Sequence, residues 1–121
     1  MQRRLRLRHR ADLERLRQQG KRYLHPLAQL VATPNGQLEN RFAFLASKRV
    51  GKATQRNRAK RLLREAVRSQ QAQLAPGWDC LLIARPETAS ATLPEVSAAV
   101  RGLLLQADLL RSNEQMPVNP G

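Results

Sequence analysis

The sequence predicts an α/β domain, and three observations carry that reading. Residues 41–47 and 78–84 read as strands flanking a helical pattern, which makes a β-α-β unit with its two strands parallel. A second helical pattern follows from Val96 through Ala99, Val100, Leu103, Leu104 and Ala107 to Leu110. At 121 residues the chain is long enough for one modest core and no more.

The elements follow in order. Residues 1–10 alternate Arg with Leu and His, a cationic arm that cannot bury much and orders on binding, if at all. A short helix comes next: Asp12 stands near its start, Leu13 and Leu16 share a face, and Gly20 fits the C′ position. Residues 22–32 carry Tyr23, Leu24, Leu27, Leu30 and Val31 and read as strand, broken early by Pro26, before the turn Thr33-Pro34-Asn35-Gly36. Along 41–47, alternation puts Phe42, Phe44 and Ala46 toward the core. Arg41, Ala43, Leu45 and Ser47 fall on the other face, open to a ligand.

Gly51 lets the next loop bend into a basic helix that Arg56, Asn57 and Arg58 open and that ends near Leu74, before Pro76-Gly77. Trp78 to Ala84 is a buried strand with Cys80 as an inert core thiol. Thr92 and Glu95 have capping-box spacing for the last helix, with Pro94 tolerated in its first turn. Residues 11–111 form the single domain, and residues 112–121, with Pro117 and Pro120, a disordered tail.

Charge narrows the function classes. The net charge is +13, and residues 1–68 hold 19 of the 22 Lys and Arg but 4 of the 9 acids, so one part of the chain makes the field and the rest mostly makes core. Only Lys21, Lys48, Lys52 and Lys60 are lysines, and the guanidinium fork of the other cations suits phosphate. On a helical wheel, Ala59, Leu62, Leu63, Ala66 and Val67 share one apolar arc. Lys60, Arg61, Arg64 and Arg68 lie outside it, with Glu65 the only acid between 56 and 68. A face kept soluble for its own sake would mix signs, so this one is read as polyanion-binding.

No apolar run approaches the ~18 residues of a spanning helix, and the basic N-terminus lacks the apolar core of a signal peptide, so a soluble, cytoplasmic protein is expected. One cysteine excludes an intramolecular disulfide and a cysteine-based zinc site, and His9 and His25 lie apart as surface residues. Neither a nucleophile with a neighbouring base, nor paired carboxylates, nor a Gly-rich phosphate loop can be drawn from these residues. The chain reads as a binding subunit. Asn57 is the one amide on the basic turns, so phosphate contacts dominate and a shaped RNA, or any duplex, is the implied partner.

Arg56-Asn57-Arg58-Ala59-Lys60-Arg61-Leu62-Leu63-Arg64-Glu65, preceded by Ser47-Lys48-Arg49-Val50-Gly51-Lys52-Ala53, resembles the RNR signature of the protein subunit of bacterial ribonuclease P. The order of elements fits over most of residues 3–110. The resemblance implies a two-layer sandwich, a small mixed sheet packed by helices, with a left-handed crossover around the basic helix against the usual preference. It also implies an enzyme whose catalytic groups reside in a partner RNA: Mg²⁺-dependent endonucleolytic removal of the 5′ leader of precursor tRNA, with no cofactor held by the chain alone and no obligate protein partner.

By position, Lys48, Lys52, Arg56, Asn57, Arg58, Lys60, Arg61, Arg64 and Arg68 would contact the catalytic RNA. The leader would lie between the first helix and the open sheet face, near Leu13, Arg17, Val31, Arg41, Ala43, Leu45 and Ser47. Many relatives carry aromatics where Leu13, Arg17 and Val31 stand, so a more electrostatic, less base-selective grip is expected here. A ribosomal or other structural RNA-binding protein is the alternative from a different class. A non-specific DNA-binding protein is the third.

Overall fold

Pro26 divides the first predicted strand into a hairpin. In the computed structural model, which describes residues 9–110, Lys21–His25 (β1) and Ala28–Pro34 (β2) pair antiparallel with Pro26 and Leu27 as the turn. The Leu27 N–H donates to His25 Nδ1 at 3.0 Å, so that imidazole serves the turn and is half-buried rather than simply a surface residue. The helix before the hairpin is Arg10–Gln19 (α1), and Arg41–Leu45 (β3), Ala53–Arg68 (α2), Trp78–Ala84 (β4) and Leu93–Gln106 (α3) follow it. The sheet order is β1-β2-β4-β3; β4 runs antiparallel to β2 and parallel to β3, so β3-α2-β4 is the expected β-α-β unit.

The main core lies on one face of the sheet. Leu30, Phe42, Cys80 and Leu82 meet Ala59, Leu63, Ala66 and Val67 of α2 and Val96, Val100, Leu103 and Leu104 of α3. The predicted apolar arc of α2 is thus the buried one, Leu62 sitting at its half-buried edge. Burial pushes the Cys80 thiol up to about 12, where it is protonated and unreactive. The Thr92–Glu95 capping box forms, with Thr92 N–H donating to Glu95 Oε1 at 2.8 Å and Glu95 N–H to Thr92 Oγ1 at 3.3 Å.

Several boundaries differ from expectation. Helix α2 begins at Ala53, three residues early, because Gln55 Oε1 accepts the Lys52 N–H at 2.7 Å and closes its first turn. It stops at Arg68, and a short 3₁₀ turn, Gln71–Gln73, replaces the expected last turns. Strand β3 ends at Leu45, and Lys48–Val50 forms a 3₁₀ turn nucleated by Ser47 Oγ accepting the Arg49 N–H. Helix α3 ends at Gln106, where Asp108 takes φ 61° and Leu109 N–H returns to the Leu104 carbonyl. Leu110 is buried even so, because it bridges Leu74.

The small mixed sheet packed by helices is as expected, and α1 adds a short cover on the second face of that sheet. Leu16 of α1 is buried with Val31, Ala43 and Leu81 on the second face of the sheet. Gly20 closes that helix in extended conformation, φ −73°, ψ 148°, and not in the left-handed C′ geometry. It is glycine because a Cβ there would stand 2.5 Å from the Leu16 carbonyl oxygen and 2.6 Å from Val31 Cγ1. Close approach, not turn chemistry, selects it. The expected arm lies outside the described residues up to position 8, and the tail from 112 onward lies wholly outside them.

Candidate nucleic-acid interface

Two surfaces result. The first is the outer side of α2 with the loop that leads into it. The loop is sharp because Gly51 has φ 139° and a Cβ there would collide with the Gln55 side chain. Lys48, Lys52, Asn57, Arg58, Arg61 and Arg68 are exposed, and Arg56, Lys60 and Arg64 half-buried. Among the described residues, Lys48, Lys52, Arg56, Lys60 and Arg61 have no acidic partner, and none there offsets their mutual repulsion.

Three of the basic side chains do have partners. Arg58 Nε donates to the Ala89 carbonyl at 2.7 Å, which ties α2 to the Thr88–Ser90 turn. Arg68 pairs with Glu65 at 3.2 Å, both well exposed and worth little. Arg64 does not simply point outward: its guanidinium carbon lies 5.4 Å from the centroid of the Phe44 ring.

The second surface is the far face of the sheet, where strand register sorts side chains into three rows. Thr33, Asp79 and Arg41 form the first. Arg22, Val31, Leu81 and Ala43 form the second, in which Leu16 covers Val31, Leu81 and Ala43 and Arg22 stays exposed. Leu24, Gln29, Ile83 and Leu45 form the third, crossing all four strands. This last row is open: Leu24 is 63% exposed and the other three half-buried. At 100° per residue, Leu13 and Arg17 occupy one flank of α1 and Asp12 and Arg15 the other. Asp12 and Arg15 reach the first row, so Leu13 and Arg17 overlook the open one. Beyond it, Ser47, Arg49, Ile83 and Arg85 line a cleft of about 300 Å³.

Several expected cleft positions are therefore displaced. Val31 is fully buried and Ala43 8% exposed, so both support the floor from beneath Leu16 and cannot touch a ligand. Arg41 is committed to Asp79, a fully buried carboxylate, donating from Nε at 3.0 Å and Nη2 at 2.9 Å, and it reaches Asp12 at 3.3 Å. The hydrogen bonds to Asp79 hold the Arg41 pKa above its ordinary value despite burial, so it is a permanent structural cation. Leu13, Arg17, Leu45 and Ser47 do border the groove.

The four aromatic residues, Tyr23, Phe42, Phe44 and Trp78, all belong to the main core on the opposite face. The floor has no stacking platform. Among the described residues no group of three or more His, Cys, Asp or Glu comes together as a metal site, and no helix is long and apolar enough to cross a membrane.

The family profile described as Ribonuclease P matches residues 1–108. The chain belongs to the ribonuclease P protein family. It is similar to the ribonuclease P protein component of Roseiflexus castenholzii, 39% identical over 112 residues covering 92% of each chain. It is also similar to that of Chloroflexus aggregans, 40% identical over 121 residues, covering 99% of this chain and 90% of the relative. The ribonuclease P protein of Thermotoga maritima superposes with a TM-score of 0.76 at 27% identity, covering 84% of this chain and 96% of that one. That of Staphylococcus aureus gives 0.80 at 22% identity, over 88% and 98%.

Within this ribonuclease P protein, sequence reasoning missed Gln29, Ile83, Arg49 and Arg85 as groove residues. Alternation along 41–47 marks Leu45 and Ser47, but the strands around Gln29 and Ile83 are apolar on both faces, so their period does not say which side chains share the face of Leu45. The adjacency of the rows was not legible, because pairing between β2 and β4 is set some fifty residues apart in the chain.

Proposed function

We propose that this chain is the protein component of a cytoplasmic ribonuclease P whose two surfaces hold two RNAs. The basic side of α2 and the loop Lys48–Lys52 bind the catalytic RNA through phosphate contacts. The groove between α1 and the open row takes the 5′ leader of precursor tRNA, with Arg17, Arg49 and Arg85 toward its phosphates. Hydrolysis is the RNA's, with Mg²⁺ held there, and the protein contributes binding and positioning.

The observation that carries this reading is the one-sided α2. Its apolar arc is buried while Arg56, Lys60 and Arg61 on its other side have no acidic partner among the described residues, an arrangement that an RNA backbone would neutralise. Arg85 supports the groove assignment, since its Nε is buried and lacks an acceptor among the described residues. The absence of aromatics from the floor supports a grip of charge and aliphatic contact. The test is 5′ cleavage of a precursor tRNA by a bacterial ribonuclease P RNA at low Mg²⁺. Added protein should stimulate cleavage at the correct 5′ position. Failure with two different catalytic RNAs, despite tight binding to structured RNA, would favour a structural RNA-binding protein.

A further inference from the structure

Asp79 accepts hydrogen bonds from three different elements. Arg15 of α1 donates from Nη2 at 2.5 Å, Arg41 of β3 donates twice, and Asn35 of the β2–β3 connection donates from Nδ2 at 3.0 Å. Its side chain has no exposure, whereas those of Arg15 and Arg41 are 31% and 19% exposed. Asp12 then joins Arg41 from the first turn of α1. The helix is thus fixed to the sheet at three points: the Gly20 approach at its end, Leu16 in its apolar pocket, and this buried cluster along the flank opposite the groove. The cluster touches no open-row residue. Yet it sets where the groove's wall stands.

We propose that Asp79 is a positioning residue for the leader groove, holding α1 through Arg15 and Arg41 so that Leu13 and Arg17 face the Leu24–Gln29–Ile83–Leu45 row at a fixed separation. This rests on the assignment of that groove to the leader. A carboxylate has four acceptor positions, and here a bidentate Arg, a second Arg and an amide fill them from three directions, which fixes orientation as well as distance. Neutral Asn at this position would keep the size but lose the charge that holds both guanidinium groups. The wall would then sample a range of separations, and a displacement near 1 Å is enough to cost roughly tenfold or more in a positioned complex.

The experiment uses the reconstituted holoenzyme with Asp79→Asn and, because that change alone could prevent folding, with Arg15→Gln, which removes the direct arm from α1 to Asp79 and leaves the Asp12–Arg41 pair in place. Precursors with a long leader and with a one-nucleotide leader are compared. In both variants KM for the long-leader precursor should rise roughly tenfold, while kcat, KM for the short leader and affinity for the catalytic RNA stay at wild-type values. Spin labels at Gln18→Cys and Ser90→Cys should report a narrow distance distribution in the parent and a broadened one in Arg15→Gln.

Equal losses on both precursors, or no loss on either with Arg15→Gln, would overturn the proposal. If the parent protein itself does not distinguish leader lengths, the leader assignment falls and the functional claim for Asp79 with it. The label distances still report separately whether the cluster holds α1.

Discussion

Arg61 and Arg64 lie three residues apart on one helix and differ in what holds them. Arg61 is exposed and without an acidic partner, while Arg64 is half-buried against Phe44. Arg61→Glu should therefore weaken catalytic-RNA binding at least tenfold and leave the urea midpoint within error of the parent. Arg64→Glu should weaken binding and also lower stability, by about 1 kcal/mol from the lost ring contact. Titration of labelled RNA beside urea denaturation separates the two, and equal midpoints for both variants would show that the Phe44 contact contributes nothing. This difference was not legible in the sequence, where both arginines simply lie outside the apolar arc. The ring that receives Arg64 comes from another strand, and only the packing of α2 on β3 brings the two together.

At the level of elements, the alternation of residues 41–47 and the apolar arc of α2 foretold which faces are buried, because both periods are local properties of the chain. The break at Pro26 was legible too, whereas the end of α3 at Gln106 depended on contacts made at a distance, with Asp108 entering the left-handed region as Leu109 and Leu110 join the Leu74–Ala75 segment. Two predictions belong here. Gly20→Ala puts a methyl against the Leu16 carbonyl, so it should cost about 1–3 kcal/mol by denaturation, although its backbone angles suit alanine.

The second concerns the α3 cap. Glu95 titrates below its ordinary 4.5 because it accepts the Thr92 N–H and then the Thr92 hydroxyl hydrogen. A carboxylate whose folded pKa is depressed stabilises the fold above the unfolded value and loses that contribution as pH falls through the folded one. Glu95→Gln should therefore flatten the stability profile below about pH 4.5, measured by thermal unfolding across pH 3–6. An unchanged acid limb would show the cap to be electrostatically idle.

For the whole molecule, the division of labour follows from topology. The sheet's main-core face packs on α2 and α3, and the outward side of α2 carries the charge. The other face carries α1 over two rows and leaves one open. With all four aromatics committed to the main core, the proposed leader groove offers Arg17 on α1, Arg49 and Arg85 in the cleft beside Glu87, and aliphatic side chains. About six phosphate contacts would cost on the order of a thousandfold in affinity between 50 and 200 mM salt. The charge asymmetry and the basic signature were legible from composition and spacing alone. The groove's floor was legible only in part: Leu45 and Ser47 could be read from one strand, but Val31, Ala43 and Arg41 share their alternation and are withdrawn by α1 and Asp79.

If two RNAs lie on two surfaces, cross-link mapping in the holoenzyme separates them. Photoreactive thiouridine is placed in the leader of one preparation and in the catalytic RNA of another, and the cross-linked peptides are identified by mass spectrometry. Leader cross-links should fall on α1 and on the segments that carry Gln29, Leu45–Arg49 and Ile83–Arg85, and catalytic-RNA cross-links on Lys52–Arg68. Leader cross-links concentrated on the outer side of α2, with the groove unmodified, would show that the groove does not hold the leader.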